Sequence, residues 1–422
     1  MAALVSRGSV DDSDHRTGHS NSGPSVPIVN THIHLPPNFS AFASADEAIQ
    51  LAASDGVTVV GTANYHDFRV YRRFASAAEA AGIVPLFGVE IIALIEGRDG
   101  RDTLVNDPTN LNRMYLCGKG LTRIDPPPSA AARRMAAMRA ASDSRIQRMT
   151  NLVAAQFGRV GLDGGWTADR IAESVAKRCA VPIEWVALQE RHVAQAFQEL
   201  LFREVAPAGR AATLGSLFES PVSLDTNDAL QVQEAIRSNL LKAGKPAFVP
   251  EAAVSFDGAY RLILELGGIP CYPILADGAS PICGFEDPPE ALVERLLGLG
   301  IYCAELIPVR NRPEVVDRYV TALRRAGIVV MAGTEHNTQR MIPLHPTALD
   351  GKPLSETARD AFWEATCIVA AHQELSKSGR AGYVDRNGTP VAGFADSEAR
   401  IRHFRDIGAD LIGNRSASRI QA

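Results

Sequence analysis

The stretch PIVNTHIHLPPNFS, residues 27–40, decides how the chain is read, because a short β-branched run ends there in an HxH pair. In an extended strand alternate side chains share a face, so His32 and His34 point the same way. Further runs follow the same pattern: VTVVGT (57–62), VPLFGVEIIAL (84–94), IPCYPIL (269–275), YCAELIPV (302–309) and IVVMAGTE (328–335). They are apolar almost throughout, as strands covered on both faces are. Amphipathic stretches between them end at Gly56, Gly82, Gly268, Gly300 and Gly327, where a left-handed residue closes a helix before the next strand. Strands alternating with helices imply parallel βαβ units, as in a barrel or a doubly wound sheet.

The strand signal stops between about Leu121 and Pro250. Helical stretches such as SAAARRMAAMRAASDSRIQRMTNLVAAQF (129–157) take over, entered through Pro126-Pro127-Pro128, which can continue neither a helix nor a sheet ladder. The expected organisation is therefore an α/β barrel over 27–120 and 246–345, interrupted by a helical insertion over 121–245. Residues 346–422 form a helical extension, and 1–26 read as a disordered leader rich in Ser, Gly, Asp and His. Arg133, Arg134, Arg139, Arg145 and Arg148 recur at spacings that let several share a helix face, either solvated or turned toward a site.

Composition narrows the function classes. The 422 residues carry 43 Lys and Arg against 48 Asp and Glu, a net charge of −5, with no basic stripe for a nucleic-acid polymer. No apolar run reaches the roughly 18–20 residues of a membrane-spanning helix. Six cysteines are scattered singly, as in a reducing cytoplasm rather than a disulfide scaffold or zinc finger.

In a parallel α/β barrel the reactive residues lie at the carboxyl ends of the strands. His32 and His34, Glu90 in GVEI, His66 in ANYHD, and Glu335 with His336 in AGTEHN all fall at such positions. Imidazoles with carboxylates suit Zn²⁺, Mn²⁺ or Fe²⁺. Lys119 in CGKG and Arg310 in IPVRN, which with Glu305 flanks a strand end, are candidate grips for a substrate anion; an exposed turn lysine and a structural ion pair are the alternatives.

Motif by motif, the chain resembles the polymerase and histidinol phosphatase (PHP) domain family, whose members are distorted βα barrels with up to three metal ions. THIHLPPNFS resembles its opening segment, GVTVVGTANYHDF and FGVEI the next two, and GGIPCYPIL, GIYCAELIPVRN and AGTEHNT the later ones. The inserted ERHVAQAF and KPAFVPEAAVSFDGAYRLILELGG resemble the helical insert of the PHP nucleotide phosphatases and exonucleases. The resemblance implies a first metal site of His32, His34, Glu90 and Glu335, with glutamate in place of the usual aspartate. A second site would need histidines where Tyr115 and Ile274 stand, and a third would need His66, a ligand where Phe39 or Ser40 falls, and a DxH where the chain has EHN. One ion is thus implied, two at most, leaving His66 and His336 as general acid and base and giving His192 a role toward substrate. The expected function is a cytoplasmic, metal-dependent hydrolase of a small anionic substrate, a phosphoester first, acting through metal-activated water. The rivals are a mononuclear metal lyase or C–N/C–O hydrolase of the same fold, and a non-catalytic, metal-stabilised binding protein.

Overall fold

The computed structural model describes residues 26–95, 103–251 and 253–420; the expected leader, with His15 and His19, lies outside the described residues apart from Val26. Nine strands are described: β1 Ile28–Ile33, β2 Val57–Thr62, β3 Val84–Leu86, β4 Gly88–Leu94, β5 Arg113–Lys119, β6 Val254–Ser255, β7 Ile269–Ile274, β8 Cys303–Leu306 and β9 Val329–Ala332. The helices are α1 Ala45–Ser54, α2 Tyr71–Ala80, α3 Ser129–Arg159, α4 Ala168–Cys179, α5 Glu190–Glu204, α6 Pro207–Phe218, α7 Ala229–Ile236, α8 Phe256–Glu265, α9 Pro289–Gly298, α10 Pro313–Arg325, α11 Glu356–Lys377 and α12 Ser397–Ile420.

The strands form two sheets, a parallel β1-β2-β3 and a six-stranded β6-β4-β5-β7-β8-β9. Strand β5 runs antiparallel to both β4 and β7, so the expectation of an all-parallel sheet is corrected at this strand. Its sequence, RMYLCGK, lacks the continuous apolar run that marks the others and ends in a lysine, which reads as a turn. The single strand expected over 84–94 is two, because the chain breaks at Phe87 and passes from one sheet into the other. Beyond β9 the sheets meet at the HxH: a parallel bridge pairs Ile33 with Glu335, His34 N donates to Glu335 O at 2.8 Å, and Glu335 N donates to His32 O at 2.8 Å.

Four of the five glycine joints are left-handed as expected, at Gly56, Gly82, Gly300 and Gly327; at the other the left-handed residue is Gly267 rather than Gly268. One hydrophobic core runs through both sheets and the helices on them, including α11 and α12. A second lies among α3–α7, built from residues such as Met149, Phe157, Phe197, Leu200 and Ile236. Helix α3 belongs to both, with Ala131 in the first and Ile146, Val153 and Phe157 in the second, and it carries the inserted segment on the sheet. No helix among the described residues is long and apolar enough to cross a membrane.

Candidate metal centre

At the end of β1, His32 and His34 are buried on the same side, and Glu90 of β4 faces them. His32 Nε2 lies 3.3 Å from His34 Nε2 and 3.6 Å from Glu90 Oε2, and His34 Nε2 lies 3.1 Å from the same oxygen. That oxygen is wholly buried, with the two imidazoles against it. A buried carboxylate oxygen normally accepts hydrogen bonds or faces a cation, so the arrangement wants a positive charge at its centre. Burial alone would push the Glu90 carboxyl up, yet contact with His32 and His34 holds it well below the carboxylate range. Burial would push His32 down, but Glu305 overrides it and raises the ring to about 9. Two imidazole nitrogens and a carboxylate oxygen converging on one point fit Zn²⁺, Mn²⁺ or Fe²⁺.

His32 is oriented from behind. Its Nδ1 is 3.0 Å from Glu305 Oε1 of β8, which aims Nε2 at His34 and Glu90. Glu305 is fully buried, and Lys119 Nζ lies 2.5 Å from its other oxygen and donates to Thr31 O at 3.1 Å. Glu305 thus pairs with Lys119, while the ion pair weighed for Arg310 is made with Glu335; Lys119, a candidate anion grip or exposed turn lysine, is instead buried beneath the histidines and does not line the cavity. Tyr65 stacks on His34, ring centroids 5.3 Å apart, and burial next to the Glu90 carboxylate keeps its hydroxyl well above its usual range.

A cavity of about 480 Å³ opens over this cluster, between the strand ends and the inserted helices. Glu335, Asn337, Arg310 and His66 line it, as do Tyr115 and Ile274, the two positions where a second ion would need histidines. The carboxylate of Glu335 is not gathered with the other three donors. Arg310 grips both of its oxygens and Asn337 Nδ2 donates to Oε2 at 2.6 Å, since the guanidinium fork is the nearest cation with matching geometry. His66, Glu335 and His336 all hold left-handed backbones, φ 58°, 62° and 51°, a conformation sparsely populated outside glycine. Burial, reinforced by Arg139, lowers His66 to about 4, so it faces the cavity as a neutral imidazole.

Two other candidate histidines are engaged elsewhere. His336 has Nδ1 at 2.7 Å from Thr334 Oγ1 and Nε2 at 3.0 Å from Ile342 O, stacks on Phe42, and is absent from the cavity wall. His192 caps α5: its Nδ1 accepts from Gln189 N at 3.0 Å and its ring packs edge-on to Phe39. Gln189 Oε1 accepts from Phe39 N at 2.6 Å, so the start of α5 is fastened to the loop that follows the HxH. Of the α3 arginines, Arg145 reaches the cavity, while Arg139 pairs with Asp67 and Arg133 and Arg148 are exposed. The far wall brings Glu190 against Arg237 and Lys242, contacts supplied by a π-helical turn over Arg237–Leu241 that no sequence pattern marks.

No family model and no curated protein matches the sequence. Several solved structures share the fold, two of them as follows. One is an amidohydrolase from Chromobacterium violaceum, solved with sulfate and without metal: TM-score 0.52, 17% identity, covering 79% of this chain and 96% of that one. The other, from Bifidobacterium adolescentis, is provisionally named a metal-dependent phosphoesterase: TM-score 0.53, 16% identity, covering 80% and 96%.

Proposed function

We propose that the protein is a metal-dependent hydrolase of a small anionic substrate, with a phosphoester as the leading class. The reading rests chiefly on Glu90 Oε2, buried against two imidazole Nε2 atoms at the floor of a cavity, three donor atoms converging where one ion would sit. His32, His34 and Glu90 would hold one divalent ion, and Glu335 would join them on leaving Arg310. Bound there, such an ion supplies Lewis acidity, lowering the pKa of water and polarising a phosphoryl oxygen. The remaining chemistry belongs to the chain. His66, neutral and facing the cavity, accepts the proton of the attacking water. Arg310, released from Glu335, meets the substrate's oxyanion with its planar fork. Tyr115 and Ile274 stand where further ligands would be needed, which supports a single ion. The second reading is C–N hydrolysis, in line with the amidohydrolase likeness.

Contacts between the sheets at Ile33–Glu335 support the distorted barrel that the resemblance implies, and the separate core of α3–α7 supports treating 121–245 as an insertion. Six unpaired cysteines accord with a reducing compartment. The test is hydrolysis of a panel of phosphomonoesters, phosphodiesters and amides after reconstitution with Zn²⁺, Mn²⁺ or Fe²⁺. Turnover of a phosphoester that disappears in His34→Ala, with the fold kept, is expected; full activity in that variant refutes the site, and turnover of amides alone selects the second reading.

A further inference from the structure

The strongest unexplained feature lies beneath the candidate metal centre. Lys119 is 2% exposed and is absent from the cavity wall. Burying an ammonium is costly unless it is paired and hydrogen-bonded. Here both conditions hold: Nζ meets Glu305 Oε2 at 2.5 Å and Thr31 O at 3.1 Å. Both contacts lead to the same residue. Glu305 holds His32 Nδ1 through its other oxygen, and Thr31 immediately precedes His32 in β1. The lysine therefore grips His32 from two sides without touching it.

A second observation says what this does. His32, Cys117 and Glu305 bring ligand atoms within 4.8 Å of one another, a group that could itself hold a cation and that shares His32 with the centre above. The Lys119 ammonium already stands at the carboxylate end of that group. Since a histidine bound through one nitrogen is oriented by what its other nitrogen meets, the ion that claims Glu305 decides which way His32 serves.

We propose that Lys119 is a positioning residue of the metal centre: a fixed internal cation that holds Glu305 turned to His32 Nδ1, reserving Nε2 for the ion shared with His34 and Glu90. The proposal rests on the metal reading given above for its consequence, but not for its geometry. Removing the ammonium alone strands Glu305 as a buried charge, and that variant can fail to fold. The double variant Lys119→Met with Glu305→Gln removes both charges, keeps the volumes, and leaves a glutamine oxygen to accept from Nδ1.

The experiment compares the wild type and this double variant by thermal unfolding, by Zn²⁺ affinity in chelator competition, and by the proton resonance of His32 Nδ1 in ¹⁵N-histidine-labelled, metal-free protein. The expected wild type shows a downfield, exchange-protected Nδ1 proton, as a buried charge-assisted hydrogen bond gives. In the double variant that proton moves upfield, the unfolding temperature stays near wild type, and Zn²⁺ binds on the order of 10- to 100-fold more weakly. Equal affinity and an unmoved resonance in the two proteins overturn the proposal, as does absence of the downfield proton from the wild type. If the wild type shows that proton but binds no divalent ion, the metal reading falls and the Lys119–Glu305–His32 geometry stands.

Discussion

Gly333 follows β9 directly and lies against the first histidine of the HxH, which makes it a lever on the site that involves no ligand atom. A Cβ at this position would fall 2.2 Å from His32 Cβ and 3.0 Å from both His32 Cα and His32 N. Carbon atoms in contact settle at about 3.5–4.0 Å, so Gly333→Ala must force the strands apart by more than about 1 Å. None of the opposing atoms is the far end of a flexible side chain. The hydrogen bonds that join the strands there, Thr334 N to His32 O at 3.2 Å and Glu335 N to His32 O at 2.8 Å, resist the separation. Overpacking of this kind costs about 1–3 kcal/mol, and the displaced imidazole no longer converges with His34 and Glu90. Urea unfolding should show that loss, and Zn²⁺ competition should show weaker binding. A proper control is Gly158→Ala in α3, where an added Cβ meets nothing within 4 Å and the helix gains about 0.5–1 kcal/mol. Wild-type stability together with wild-type metal affinity in Gly333→Ala would refute the reasoning.

Other outcomes follow from buried histidines. His372 of α11 accepts from Tyr383 N at 3.0 Å and donates to Gly267 O at 3.1 Å, and burial holds it down to about 4. Because the unfolded chain takes up this proton near pH 6.5, the stabilisation is complete above that pH and is lost on acidification, about 3 kcal/mol by pH 4. His372→Gln keeps an acceptor and a donor, so its stability should decline less steeply than that of the wild type between pH 7 and pH 4; parallel declines would contradict this. His66→Gln should retain the bound metal ion but lose roughly 10²–10⁴-fold in kcat, measured on whichever substrate the panel yields. Activity within a few-fold of wild type would remove His66 from the chemistry.

Much of the centre was legible because strand periodicity is local. The alternation of NTHIH puts His32 and His34 on one face, and the apolar runs around Glu90 mark its strand. What could not be read depends on partners distant in sequence. Glu305 sits within an apolar run, with nothing to show that His32, 273 residues away, meets it. Lys119 looks like a turn residue because its strand, β5, carries a glycine and a charge, features acceptable only because Glu305 lies opposite. His336 looked available beside Glu335, yet the left-handed turn at these two residues swings its ring toward Thr334 and Ile342. Glu335 itself reaches the cavity wall but is claimed by Arg310, a competition between cations that no spacing encodes.

The central claim is that His32, His34 and Glu90 form a centre for one divalent ion, and metal content per chain tests it most directly. After equilibrium dialysis against Zn²⁺ or Mn²⁺, elemental analysis should find one tightly held ion per chain in the wild type and none in His34→Ala or Glu90→Gln of equal helical content. A wild type without bound metal, or variants that keep the ion, would contradict the account.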